Sequence, residues 1–191
     1  MQKVCKKYIG RNLLLCGIAF ILLLSVVRII SLNQEYPSGK ILYGDSKTPV
    51  HCMGLTFQLL NGELLNSTDF FSQYSINTKS LFSDTAAEKY ALFEVEIIKG
   101  AESKEQNYFF PDYSGAEKGA WKNLISPEIF LNLNPDYKPV AQMKVNETQT
   151  LLFAIGLHES TFQKETWESL DISQLDLVLS VYPFKISLQF K

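Results

Sequence analysis

The stretch from Leu13 to Leu32, LLLCGIAFILLLSVVRIISL, constrains this chain more than any other. A helix of about 20 apolar residues matches the hydrocarbon thickness of a bilayer. A core helix of a water-soluble domain keeps a polar face, and this run has none. Arg28 lies close to its far end, where a long side chain reaches the headgroups at much smaller cost than at the bilayer centre. Lys3, Lys6, Lys7 and Arg11 precede the run with no acidic residue among them, and basic residues beside a first span hold that side in the cytoplasm. The expectation is a cytoplasmic basic tail over 1–12, a transmembrane anchor in membrane lipid over 13–32, a tether over 33–39 broken by Pro37 and Gly39, and an extracytoplasmic domain over 40–191. A cleaved signal peptide is the rival reading. The run is long for one and ends VVRIISLNQEY, without a small-x-small site, and Leu15 precedes Cys16 where a lipoprotein site needs a small residue.

Charge divides at the same place. All 20 acidic residues follow Leu32, whereas five of the 18 basic ones (Lys3, Lys6, Lys7, Arg11 and Arg28) precede it. The remainder carries 13 basic against 20 acidic residues, a net charge of −7. Such a domain is repelled by nucleic acid, anionic lipid and anionic wall polymers. Cys5, Cys16 and Cys52 fall in the tail, the span and the domain respectively, so the domain has no disulfide of its own. It has the length of one ordinary domain with a core that needs no staple.

Beyond the tether, period-2 patterns dominate. GLTFQLL (54–60) puts Leu55, Phe57 and Leu59 on one face. KYALFEVEIIKG (89–100) aligns Ala91, Phe93, Val95 and Ile97, and QTLLFAIGL (149–157) aligns Leu151, Phe153, Ile155 and Leu157. These read as half-buried strands. KILYG, QNYFF and PVAQMKV are weaker candidates, and KGAESKEQN reads as a charged hairpin tip. In the closing LDLVLSVYPFKISLQFK the apolar set is odd-numbered through Leu175, Leu177, Leu179 and Val181, then even-numbered through Phe184, Ile186, Leu188 and Phe190. Strict alternation changes phase only through an extra residue or a turn, so two strand segments joined by a kink at Tyr182-Pro183 are expected. Short helices are expected in STDFFSQY, capped by Ser67, Thr68 or Asp69; in SPEIFLNL, with Pro127 and Glu128 in the first turn after Ser126; and in STFQKETWESL, starting at Ser160 or Thr161 with Phe162, Trp167 and Leu170 on one face. The fold class expected is mainly β: an antiparallel immunoglobulin-like β-sandwich with two or three short helices, preceded by one N-terminal transmembrane helix.

SGAEKGAWKN (114–123), FLNLNP (130–135) and LVLSVYPFK (177–185), together with the basic tail, the single span and the YPSGK tether, resemble a family of single-span membrane proteins of Gram-positive bacteria classed as a domain of unknown function. The resemblance covers most of the chain and is most specific at Gly119-Ala120-Trp121 with Asn123, at Asn134-Pro135 and at Leu177–Lys185. It implies a membrane-anchored extracytoplasmic immunoglobulin-like sandwich and carries over no activity and no catalytic residue.

Chemistry-bearing motifs are thin. His51-Cys52 and His158-Glu159 hold the two histidines. Neighbours on a strand point to opposite faces, so neither pair chelates alone, and no metal or cofactor is expected. Cys52 as a nucleophile needs an activating base and an oxyanion donor, and the domain contains no Arg, which makes a buried structural thiol the better reading. There is no G-x-S-x-G elbow, and DYSGAE (112–117) fails as a calcium loop at Ala116. Asn66-Ser67-Thr68 and Asn146-Glu147-Thr148 match the glycosylation pattern without weight. The aromatic segment NYFFPDYSGAEKGAW supplies a candidate partner-binding loop at Tyr108, Phe110, Tyr113 and Trp121, with end-plugging by Phe109 and Trp121 as the plainer account. The function expected is a membrane-anchored binding or accessory module, not an enzyme, whose partner is another surface or membrane protein. The alternative is a surface enzyme acting on wall or peptide through Cys52 or His158. Protease added to intact, wall-stripped cells is expected to remove a C-terminal tag and leave a small membrane fragment; a protected tag overturns this topology.

Overall fold

The computed structural model describes residues 2–35, 40–76, 87–103, 109, 111–180 and 184–190, with side chains in the first segment from Gly17 onward except Asn33 and Glu35. The chain forms two compact units, Met1–Ser38 and Gly39–Lys191. The first is a single helix, α1 (Gln2–Glu35). Phe20, Ile21, Leu22 and Leu23 step round it at about 100° per residue, and each is 61–64% exposed. The Ser25 hydroxyl is satisfied within the helix, donating to the carbonyl of Ile21 at 2.9 Å. Among the described residues no helix is long and apolar enough to cross a membrane. The expected span begins at Leu13, outside the described side chains; the part within them, Gly17–Leu32, is shorter than the ~20 residues a bilayer requires.

The second unit is mainly β, with two sheets and short helices. One sheet has the order β2-β3-β4-β7, from Val50–Cys52, Leu55–Asn66, Lys89–Lys99 and Thr148–Leu157. The other has the order β1-β9-β8-β5-β6, from Lys40–Gly44, Phe184–Leu188, Asp176–Ser180, Gly115–Lys118 and Trp121–Leu124. All pairings are antiparallel except β1 with β9, which is parallel, so the wholly antiparallel expectation is corrected. Chain entry fixes this: β1 leads into β2 of the opposite sheet, not into a hairpin partner, leaving β9 as its neighbour.

The core lies between the sheets. The expected inward set of β3, β4 and β7 is buried, and Ala116, Leu177, Leu179, Ile186 and Leu188 meet it from the other sheet. Two features escaped the alternation pattern. The register of β3 against β4 passes from Leu59–Val95 to Asn61–Glu94, so Leu60 is the extra residue of a bulge. Gly62 then faces inward, and the Phe190 ring occupies the place of its missing side chain, where a Cβ would lie 2.3 Å from the ring. A two-residue turn, Met53-Gly54, joins β2 to β3 with φ of +54° and +76°, the sense that fits the twist of a hairpin.

A second apolar cluster covers part of the outer face of the four-stranded sheet. There α2 (Ser67–Gln73) stacks Phe70 on Tyr90, with ring centres 4.2 Å apart. Its N-cap is Asn66, not Ser67, Thr68 or Asp69, because the helix starts directly from β3 and its first N–H donates to the carbonyl of Glu88. In α3 (Pro127–Leu133) the N-cap is Ser126, with Pro127 and Glu128 in the first turn, as expected. The last helix, α4 (Lys164–Glu168), starts later than expected, after a 3-10 turn at Glu159–Thr161; Phe162 precedes it but still packs on Trp167, ring centres 5.7 Å apart.

Four expectations about the strands and their connections are corrected or fall outside the described residues. PVAQMKV forms a 3-10 turn at Val140–Gln142, held by the almost wholly buried Lys99, whose Nζ donates to the carbonyls of Val140 and Met143 at 2.9 Å. KGAESKEQN lies partly outside the described residues; among those described, the strand that follows β4 is β5, of the other sheet. Of QNYFF only Phe109 is among the described residues. β8 and β9 pair antiparallel, so the change of phase accompanies a chain reversal; Tyr182-Pro183 itself lies outside the described residues.

On the outer face of the five-stranded sheet Glu117 bonds to Lys185 and sits 3.2 Å from Lys122. Burial opposes its charge, but the two lysines outweigh this and hold the carboxyl below its ordinary value of 4.5. A carboxylate depressed in the folded state stabilises fully above its ordinary value and loses that contribution as pH falls through the folded one. Glu117→Gln is therefore expected to destabilise the domain by at most about 1 kcal/mol at pH 7. The difference from the native protein should vanish well below 4.5. Urea midpoints over a falling pH series check this, and a constant difference overturns it.

Candidate functional site

Of the aromatic loop expected from sequence, Tyr113 and Trp121 are among the described residues. Tyr108 and Phe110 lie outside them. Tyr113 is 64% exposed on a 3-10 turn (Pro111–Tyr113) ahead of β5. Trp121 opens β6, and the register pairs Gly115 with Leu124 and Lys118 with Trp121. Tyr113 and Trp121 thus stand at opposite ends of the β5–β6 hairpin. Trp121 packs on Phe162 with ring centres 4.8 Å apart, in a row that continues to Trp167 under the Lys89 ammonium. Phe109 is separate, its ring 5.4 Å from Phe57 in the core.

The Cys and His candidates are also held apart. On β2, Cys52 points inward and is buried, while His51 points outward with Nδ1 2.8 Å from Thr56 Oγ1. The register across β3, β4 and β7 places His51 level with Ile98 and Thr148. His158 follows Leu157, which pairs with Lys89 at the other end of β4. The strand rise over that interval separates the two histidines by about 30 Å. His158 Nδ1 lies 3.6 Å from Glu88 Oε2 instead. Cys52 lines a cavity of about 40 Å³ with Leu55, Phe57, Phe109, Phe184 and Ile186. Burial there pushes its thiol up from the ordinary value, away from the thiolate that a nucleophile requires. Among the described residues no three His, Cys, Asp or Glu side chains are grouped to hold a metal ion.

The more open concavity lies along β7. After α3, Pro135 ends the helix, and the segment Asn134–Lys138 runs beside the outer edge of β7 without pairing to it as a strand. Two side-chain amides make the connection. Asn134 Nδ2 donates to the carbonyls of Phe130 and Leu152 at 2.8 and 2.9 Å, and Asn134 Oδ1 accepts from Leu152 N at 2.8 Å. Gln149 Oε1 accepts from Lys138 N at 3.3 Å, and its Nε2 donates to the carbonyl of Lys138 at 3.0 Å. Side-chain ties hold two chains farther apart than a ladder does, and the space between is a groove of about 440 Å³ lined by Glu94, Leu133, Asp136, Tyr137 and Thr150 among others. Leu152 directs both backbone groups to this edge, so by strand parity Thr150 does the same.

The groove carries acidic character. Glu94 and Asp136 border it, and Lys138, which follows the lining segment, is paired with Glu147 at 2.6 Å. Burial, and then the charge of Asp112, push the Tyr137 hydroxyl up from its ordinary value, so it remains a neutral donor. Sequence reading missed this site. Its only signal was Asn134-Pro135, an amide directly ahead of a helix-stopping proline. No family model, curated protein or solved structure matches the chain.

Replacing the buried Asn134 by Leu strips both backbone groups of the half-buried Leu152 of their partner. Leaving them unsatisfied is expected to cost about 2–3 kcal/mol and to lower the melting temperature by several degrees. An unchanged thermal transition would show that the amide does not hold the edge.

Proposed function

We propose that this chain is a membrane-anchored, extracytoplasmic binding module, of the Gram-positive single-span kind that its sequence resembles, and that its immunoglobulin-like domain takes a basic, extended segment of another surface or membrane protein into the groove beside β7. The groove itself carries the reading: an edge strand with backbone groups at Thr150, walled by an acidic pair, Glu94 and Asp136. An extended peptide satisfies such backbone groups, and a Lys or Arg side chain satisfies the carboxylates. The anchor is supported by the apolar run 13–32, by the basic residues ahead of it and by the exposure of apolar side chains from Ile18 to Ile30 of α1. In water that exposure carries a hydrophobic cost that lipid removes.

The test uses the full-length protein in nanodiscs with labelled extended peptides identical except for Lys or Asp at alternate positions. The Lys peptide is expected to bind and the Asp peptide not. Glu94→Lys with Asp136→Lys should weaken capture at least tenfold, a loss of ~1.4 kcal/mol. The control Glu159→Lys with Glu168→Lys, which changes net charge equally on another surface, should leave it nearly unchanged. Equal losses in the two double variants would mean attraction to net charge alone and would overturn the groove reading.

A further inference from the structure

We propose that two copies of this chain pair through β1, edge to edge and antiparallel, so that their five-stranded sheets become continuous. This inference does not rest on the groove.

β1 is the outermost strand of its sheet, with β9 on one side only. The Gly44 carbonyl accepts from Gln189 N at 2.9 Å, so Gly44 directs its backbone toward β9. In a parallel pair Leu42 and Lys40 share that direction, and Ile41 and Tyr43 direct their N–H and C=O groups to the open edge. Among the described residues no strand or loop pairs with that edge. The Ile41 and Tyr43 side chains are 48% and 56% exposed. Natural edge strands carry a charge, a proline or a bulge against pairing. KILYG has no proline and no bulge, and its one charge, Lys40, stands at its first position.

The strand is complementary to itself. Antiparallel pairing centred on Leu42 sets Ile41 opposite the partner's Tyr43, twice by symmetry, with the outward backbone groups of both residues facing each other. A β-branched residue opposite an aromatic one is a favourable cross-strand pair. Leu42 meets the partner's Leu42 on the inner side, extending the core layer. Charge selects the same orientation: Lys40 opens the strand and Asp45 directly follows it, so antiparallel copies bring opposite charges together, whereas parallel copies bring Lys40 beside the partner's Lys40. Two-fold closure uses up both edges and stops growth at a pair. A five-residue edge is a small interface, and confinement of anchored copies to one membrane would raise their effective concentration.

The test is thiol crosslinking of the full-length protein in membranes, with Cys5 and Cys16 replaced by Ser. Leu42→Cys places a thiol opposite its own copy in a non-hydrogen-bonded pair, where Cα atoms approach to about 4.5 Å, within disulfide reach. Mild oxidation is expected to convert Leu42→Cys to a covalent dimer, and Tyr113→Cys, exposed elsewhere, to give little. Adding Ile41→Lys should lower the dimer yield at least fivefold. Should Leu42→Cys perturb folding, the otherwise native protein in detergent is expected to sediment as a dimer that Ile41→Lys dissociates. Equal crosslinking at 42 and 113, crosslinking only to a different protein, or a native protein that sediments as a monomer throughout a tenfold concentration range would each overturn the proposal.

Discussion

β4 is the strand on which the rest of the second unit depends. It pairs along nearly its whole length with β3 and with β7, and it is apolar on both faces where the chain needs it to be. Inward, Ala91, Phe93, Val95 and Ile97 are fully buried against the opposite sheet. Outward, Tyr90 and Leu92 form the floor on which α2 and α3 settle. Toward its other end the outer face turns polar at Glu94 and Glu96. The apolar half of that face is therefore roofed by helices, and the acidic half is left at the surface, where the groove lies.

The two sheets manage their edges differently. At β7 the backbone of Leu152 is satisfied by Asn134, and the Gly156 carbonyl accepts from Asn123 Nδ2 at 2.7 Å. Asn123 stands on β6 of the other sheet, so this bond also stitches the sheets together at that corner. Side-chain amides satisfy part of an edge without adding a strand, and beside the backbone of Thr150 they leave a groove. At β1 no comparable device is present among the described residues. The Ile41 and Tyr43 side chains are exposed and their backbone groups face outward, so the two edges present different chemistry to solvent.

The binding reading follows from this arrangement more than from any single residue. The groups with nucleophilic or ligating chemistry are dispersed by the sheet register: Cys52 faces the core, His51 faces out at one end of the four-stranded sheet, and His158 stands at the other end. What the fold brings together instead is Glu94 on β4, Asp136 beyond α3, and the edge of β7, contributed by three separate stretches of chain.

The sequence by itself determined the apolar run 13–32, the acidic remainder and the long inward faces of β3, β4 and β7. A run of lipid-matching length and a two-residue alternation are local properties that no tertiary context needs to supply. It also determined α3, since a serine ahead of proline and glutamate sets a helix start within a few residues. Only the tertiary structure decided what long-range pairing controls. The parallel partner of β1 lies at the far end of the chain. The bulge at Leu60 is visible only against β4, and the turn at Val140–Gln142 is held by Lys99 from a distant strand, against a local pattern that suggested β. Asn134 reads in sequence as a residue before a proline; its role exists only because β7 passes beside it with an edge to satisfy.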